Sequence, residues 1–278
     1  MTPGPLTPAN CITNGLPLTA LPGPLSTKVI LDAPGAGNWQ GAMLNPTTGE
    51  RFIAEAQKIG TASEDCLFHR FSPAGVYLDT MRAKADKGVF IHPTGWGVDG
   101  ESNIYVTWNV PNQKGSGIVR FRYAAGKTIT RADTFAVAPS LPGNLQIALS
   151  PTRTVAVIRR NRAATAGYPN GSDQFTKYSL AALWADKPVA LSPTLSVPKH
   201  SDRVVQGFTI ESDLLFCLTG FTHTTKVLEK YDLKTSKPLV NYDLTPLAGE
   251  PEGLDHNTIG MKRGKGDARH LELLDANL

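Results

Sequence analysis

The segments Trp39-Gln40-Gly41-Ala42-Met43-Leu44, Thr94-Gly95-Trp96-Gly97-Val98, Asn144-Leu145-Gln146-Ile147-Ala148-Leu149, Val205-Gln206-Gly207-Phe208-Thr209-Ile210 and Pro251-Glu252-Gly253-Leu254 each open an apolar run in the same way, five times along 278 residues. Their anchors Gly41, Gly95, Gln146, Gly207 and Gly253 stand 54, 51, 61 and 46 residues apart. A period of roughly 40–50 residues that holds several short strands is the signature of a blade in a β-propeller. The expected fold is therefore all-β, a five-bladed β-propeller.

The strands can be assigned along the chain. Blade one reads Gln40–Leu44, Arg51–Ala56, Cys66–Phe71 and Val76–Met81. Blade two reads Gly95–Val98, Asn103–Trp108, Ile118–Tyr123 and Thr128–Phe135. Blade three reads Leu145–Leu149, Arg153–Arg159, Gln174–Leu180 and Val189–Val197, with one short helix around Leu180–Trp184. Blade four reads Val205–Ile210, Leu214–Thr219, Lys226–Leu233 and Leu239–Leu244. Blade five has only Glu252–Leu254, Thr258–Lys262 and Ala268–Asp275 before the chain ends. Its missing strand stands at the other terminus, Lys28–Asp32, and pairing it there closes the ring and removes an exposed edge.

Two domains follow: the propeller over 27–278 and an extended Pro-rich arm over 1–26, whose prolines lack amide donors and cannot enter a sheet interior. Leu16, Leu18 and Leu21 are apolar enough to need cover, so the arm is expected to lie as a strap on a neighbour in an assembly. The 26 Gly and 21 Pro fall between apolar runs, as the punctuation of many short strands rather than of disorder. Cys11, Cys66 and Cys217 are far apart, with no ligand spacing and no disulfide framework; Cys217, in Leu214-Leu215-Phe216-Cys217-Leu218, reads as a core residue. No stretch approaches the roughly 18–20 apolar residues of a membrane span. The N-terminus lacks a signal-peptide pattern, which points to synthesis and folding in a cytoplasm. The net charge of +4 is mild and no nucleic-acid motif accompanies it.

Propeller topology sorts the charges by face. Turns between first and second strands carry Glu50, Asp99, Glu101, Glu211 and Asp213, with Arg51 and Arg153 as basic exceptions. The opposite loops are rich in cations, and the expected ligand-binding set there is Arg160, Arg162, Lys226, Arg263 and Lys265. The densest run, Arg159-Arg160-Asn161-Arg162, offers guanidinium forks suited to phosphate or carboxylate, or else simply caps a solvated hairpin. A second candidate set faces the channel: Gln40, His92, Gln146, Gln206 and Glu252, able to hydrogen-bond a sugar or only trapped water. No triad, metal or cofactor motif is present, so no cofactor is expected. A carboxylate pair converging from different blades stays open to a hydrolase.

The segments His92-Pro93-Thr94-Gly95-Trp96-Gly97-Val98, Val205-Gln206-Gly207, Leu218-Thr219-Gly220 and Glu250-Pro251-Glu252-Gly253-Leu254, with the Gln40 strand and Arg51–Ala56, carry a resemblance over residues 28 to 278. The chain resembles the propeller of actinobacterial proteins labelled teichoic-acid biosynthesis protein C and of receptor-binding proteins from phages of Gram-positive bacteria. That resemblance implies a non-enzymatic virion protein of tail or fibre, binding an anionic cell-wall glycan such as teichoic acid. It also implies attachment to other virion proteins through the arm and homo-oligomerisation within the particle. No catalytic motif supports the biosynthetic label. A purely structural virion component, a cell-wall glycan hydrolase acting through Glu252, and a host lectin are the alternatives.

Overall fold

The computed structural model describes residues 14–34, 38–57, 65–84, 93, 95–109, 116–130, 133, 136–137, 145–166, 170–184, 188–200, 204–221, 224–264 and 270–276. Five sheets, each built on four antiparallel strands, form the five expected blades. Blade one holds β3 (Asn38–Leu44), β4 (Arg51–Gln57), β5 (Asp65–Phe71) and β6 (Tyr77–Ala83). Blade two holds β7 (Trp96–Val98), β8 (Asn103–Asn109), β9 (Ser116–Arg122) and β11 (Ala136–Val137). Blade three holds β12 (Leu145–Leu149), β13 (Val155–Arg162), β14 (Ser172–Ser179) and β15 (Leu195–Pro198). Blade four holds β16 (Val205–Glu211), β17 (Leu214–Thr219), β18 (Val227–Asp232) and β19 (Lys237–Asp243). Blade five holds β20 (Glu250–Asp255), β21 (Thr258–Arg263) and β22 (His270–Asp275), completed by β2 (Ser26–Leu31) from the N-terminal side.

The closing strand pairs antiparallel with β22, from Ser26 opposite Asp275 to Leu31 opposite Leu271. Leu31 is fully buried with Leu271, Leu273, Trp39 and Ile53, so the closure also seals the joint between blades five and one. Among the described residues each pair of adjacent blades encloses one such cluster. This explains the second strands. Ile104 and Val106 face blade one, whereas Tyr105 between them faces blade three. Leu215 and Cys217 face blade three, while Phe216 and Leu218 face blade five. A strand covered on both sides reads as a continuous apolar run because both of its alternating faces are core. Aromatic contacts join blades one and two (Phe68 to Trp96, 5.4 Å) and blades three and four (Phe175 to Phe208, 5.4 Å).

Two sequence expectations change. Thr128–Phe135 is not the fourth strand of blade two. A turn at Ala124–Lys127 folds the chain back, and β10 (Thr128–Ile129) pairs parallel with β6 of blade one, where Ile129 joins the cluster between the two blades. The outer strand of blade two is β11 instead, pairing with β9. The short helix survives only as a 3-10 turn at Ala182–Trp184. The arm also makes a contact within its own chain. Its β1 (Leu18–Thr19) runs parallel along β19, Asn14 and Asn241 exchange side-chain hydrogen bonds of 2.9 Å, and Leu21 and Leu25 pack against the joint of blades four and five.

At the axis three inner strands, β3, β16 and β20, meet backbone to backbone. A Cβ placed on Gly253 would lie 2.5 Å from the Cα of Gly41, and one on Gly207 would lie 2.9 Å from the Cα of Gly253. Beside each of these glycines the ladder carries a β-bulge, between Trp39 and Ala42, Val205 and Gly207, and Pro251 and Gly253. Gly253→Ala is therefore expected to destabilise the fold by about 1–3 kcal/mol, the usual range for overpacking. Gly260→Ala, whose Cβ would meet nothing closer than 3.5 Å, serves as the control, with a melting temperature close to wild type. Thermal unfolding of the two variants checks the axial contact; equal melting temperatures would contradict it.

Candidate functional site

Each inner strand starts on the loop face and ends on the turn face, so the bulges lie near the loop end of the axis. A bulge leaves one residue unpaired and re-aims its side chain. Here those residues include Gln40, Gln206 and Glu252. All three line one cavity of about 300 Å³, together with Gln146, Asn38, Arg159, Glu250 and Phe221. The structure thus brings together four of the five channel-facing candidates; His92 lies outside the described residues.

The cavity wall is polar and its charges are partnered. Arg159 is buried, donates to Asp173 at 2.9 Å and to the side-chain oxygen of Gln146. Lys262 bridges two carboxylates, Glu250 at 2.9 Å and the buried Glu252, and donates to Asn38 at 3.1 Å. Burial pushes the Glu252 carboxyl up to about 8; Lys262 opposes the rise and Glu250 adds to it. By contrast, the side-chain amides of Gln40 and Gln206 make no hydrogen bond to any described residue, although both residues are more than nine-tenths buried. Only the backbone oxygen of Gln40 is engaged, accepting from the indole of Trp96 at 3.0 Å.

The four described cations of the expected binding set have different surroundings. Arg160 and Arg162 lie at the loop end of β13; Arg160 donates to Gln174 at 2.7 Å, and Arg162 is exposed without an ion pair among the described residues. Lys226 departs from expectation: it is 4% exposed and donates to the carbonyls of Leu247 and Thr245, holding a turn rather than facing solvent. Arg263 is tied to Glu272 at 2.5 Å and to the carbonyl of Ala248. Lys265 lies outside the described residues. Lys199, at the end of β15, adds a cation on blade three, with Asn161 as its partner.

The turn face is also less uniform than its sequence suggests. Asp99 is spent on its own turn and on the hydroxyl of Tyr105 at 2.8 Å, Glu50 accepts from Arg70 at 3.3 Å, and Asp213 from Lys177 at 2.6 Å. At its centre Arg153, held at φ 57° in the blade-three turn, reaches across the axis. It pairs with Asp255 of blade five at 3.1 Å and donates to the carbonyl of Leu44 of blade one at 2.6 Å. Both partners are at least nine-tenths buried. Nothing in the sequence marks this residue as the pin of three blades. A cavity of about 420 Å³ opens beside it, lined by Arg51, Lys28 and His256 as well as by Asp255 and Asp275.

A family model described as a phage 5-bladed beta propeller receptor binding platform domain matches residues 39–257. The chain belongs to this family. The match takes in the four cavity candidates, Arg160, Arg162 and Lys226, and leaves out the closing strand, Arg263 and Lys265. Receptor-binding platforms of phages are virion components, so the phage half of the sequence resemblance is borne out. Among solved structures, the tail fibre of Staphylococcus aureus phage P68 superposes with a TM-score of 0.65 at 12% identity, over 90% of this chain and 52% of that one. The chain thus spans about half the length of that fibre, and the likeness shows the shared fold. A glucose dehydrogenase (TM-score 0.46, 12% identity, 93% of this chain and 84% of that one) and TolB from Acinetobacter baumannii (TM-score 0.44, 11% identity, 86% and 54%) are more distant. No curated protein matches the chain.

Two outcomes test the receptor-binding propeller's axial electrostatics. Arg153→Leu leaves Asp255 buried without its cation, and is expected to cost about 3–5 kcal/mol, measured by denaturant unfolding. For Glu252, the folded carboxyl titrates near 8 against an ordinary 4.5. The stability that its protonated form contributes is complete below the ordinary value and is lost as pH rises through the folded one. Wild type should therefore lose melting temperature across that interval, and Glu252→Gln, which keeps Glu250 as the partner of Lys262, should flatten the profile. Parallel profiles would exclude the assignment.

Proposed function

We propose that this domain is the host-recognition platform of a tail or fibre, and that it holds an anionic cell-wall glycan of the teichoic-acid type against the loop end of blade three. Family membership supplies the receptor-binding role. The anionic ligand rests on one observation: Arg160, Arg162 and Lys199 gather where β13 and β15 end, and among the described residues their side-chain partners are the amides Gln174 and Asn161 or none, with no carboxylate. Among the described residues, Asp65 and Asp173 of this face are buried and each is taken by a cation of its own, Arg82 and Arg159. Guanidinium forks left without acids are suited to phosphate oxygens.

In this reading the polymer is held and not cleaved, since Glu250 and Glu252 are both engaged by Lys262. The Pro-rich arm over 1–26 links the domain to other virion proteins, and several copies act together in the particle. The experiment is a retention assay on purified wall polymer with the double variant Arg160→Glu and Arg162→Glu. A loss of at least about tenfold, equivalent to 1.4 kcal/mol, is expected. Wild-type retention should also fall as salt shortens the screening length from about 10 Å at 0.1 M to about 3 Å at 1 M. Lys127→Glu, on the turn side, should bind as wild type. Retention unaffected by the double reversal would overturn the anionic reading.

A further inference from the structure

The loop-face cavity differs in chemistry from the cation cluster beside it. Its two amides, Gln40 and Gln206, come from blades one and four, are 7% and 8% exposed, and have no side-chain partner among the described residues. Both amide tips keep solvent contact at the opening, so each can exchange water for a ligand without first breaking a bond to the protein. Two such amides, set by bulges around one opening, are placed to meet a ligand together. We propose that this cavity is a subsite for a single neutral sugar ring, read through its hydroxyls by Gln40 and Gln206.

Three features select that class. First, an amide presents a donor and an acceptor side by side, which matches a hydroxyl, itself both donor and acceptor. Second, the charges around the cavity leave no demand for an ion. Arg159 is taken by Asp173 and Gln146, while Lys262 already fills the place between Glu250 and Glu252 where a ligand ammonium would otherwise sit. An anion would meet the Glu250 carboxylate and find Lys262 and Arg159 already engaged. Third, the wall includes Phe221, 38% exposed, an aromatic side chain of the kind that packs against the C–H side of a pyranose. The volume of about 300 Å³ lies at the lower end of ligand cavities, which run roughly 300–1,000 Å³, and suits one ring rather than an oligosaccharide.

This inference deepens the receptor-binding reading and depends on it for the source of the sugar, as a substituent or unit of the wall polymer. The test uses the full chain with a panel of glucose, galactose, N-acetylglucosamine and N-acetylgalactosamine, followed by saturation-transfer NMR and calorimetry. At least one sugar should bind saturably at millimolar concentration, and Gln206→Leu should weaken it by about tenfold, the loss of one or two hydrogen bonds. Because the amide has no protein partner, Gln206→Leu and Gln40→Leu should melt no lower than wild type; a lowered melting temperature in both would show that the amides are structural and overturn the proposal. So would a panel in which no sugar saturates the wild-type protein, or a Gln206→Leu variant that binds unchanged. In parallel, retention on dextran sulfate, a polyanion without these monosaccharides, reports the cation cluster alone. Loss of sugar binding with dextran sulfate retention intact removes the cavity proposal and leaves the anionic platform standing; sugar binding without such retention does the reverse.

Discussion

Five inner strands have to converge on one axis, and in this chain the convergence brings three of them, β3, β16 and β20, backbone against backbone. Gly41, Gly207 and Gly253 leave no space in which a Cβ could sit. A regular ladder cannot run into such a contact while keeping its register, and each of these strands releases the strain as a bulge beside its glycine. The side chains re-aimed by the bulges are Gln40, Gln206 and Glu252, which stand around the axial mouth. The constraint that closes the ring is thus also what furnishes its opening with polar groups. At the opposite end the axis is closed by a different device, with Arg153 reaching from blade three to Asp255 and to the carbonyl of Leu44.

The distribution of charge follows from burial more than from composition. Glu55, Asp65, Asp173, Glu229 and Glu252 are all buried near the loop end of their strands, and each meets a basic partner: His69, Arg82, Arg159, His200 and Lys262. Such pairs add little net stability, because desolvation offsets most of the attraction, yet removing one member strands the other. Their effect on the surface is larger. Among the described residues, Asp65 and Asp173 are withdrawn from the loop face together with their counter-ions, while Arg162 is exposed and Arg160 and Lys199 are half-buried beside it. A net charge of +4 conveys none of this.

The fold was legible because its signals are local or periodic. The repeated opening before Gly41, Gly95, Gln146, Gly207 and Gly253 marks the inner strands, and the surplus strand before blade one answers the deficit in blade five. The channel-facing residues were legible for the same reason, since Gln40, Gln206 and Glu252 each precede the anchor of their repeat and Gln146 is the anchor of its own. What failed was contact between segments remote in sequence. Whether Lys226 faces solvent depends on carbonyls of a turn some twenty residues on. Arg153 finds its partner 102 residues away and adopts a positive φ that an arginine does not advertise. Thr128–Ile129 has strand character in either sheet, and only the turn at Ala124–Lys127 sends it to blade one.

A cluster of cations at the blade-three edge and a cavity of uncharged amides would contribute differently to one polymer. Charge acts over a Debye length and raises the rate of encounter with any polyanion, so by itself it selects poorly among walls. A buried polar cavity acts only at contact. It discriminates because a wrong ligand leaves amides such as Gln206 desolvated and unpaired, a penalty that an apolar pocket cannot impose. Neither element needs high affinity alone. On a polymer of repeating units met by several copies of the platform, weak contacts multiply through effective concentration. Under that arithmetic a shallow, one-ring cavity beside a basic edge is sufficient, and a deep enclosed pocket would hinder release before a productive attachment is found.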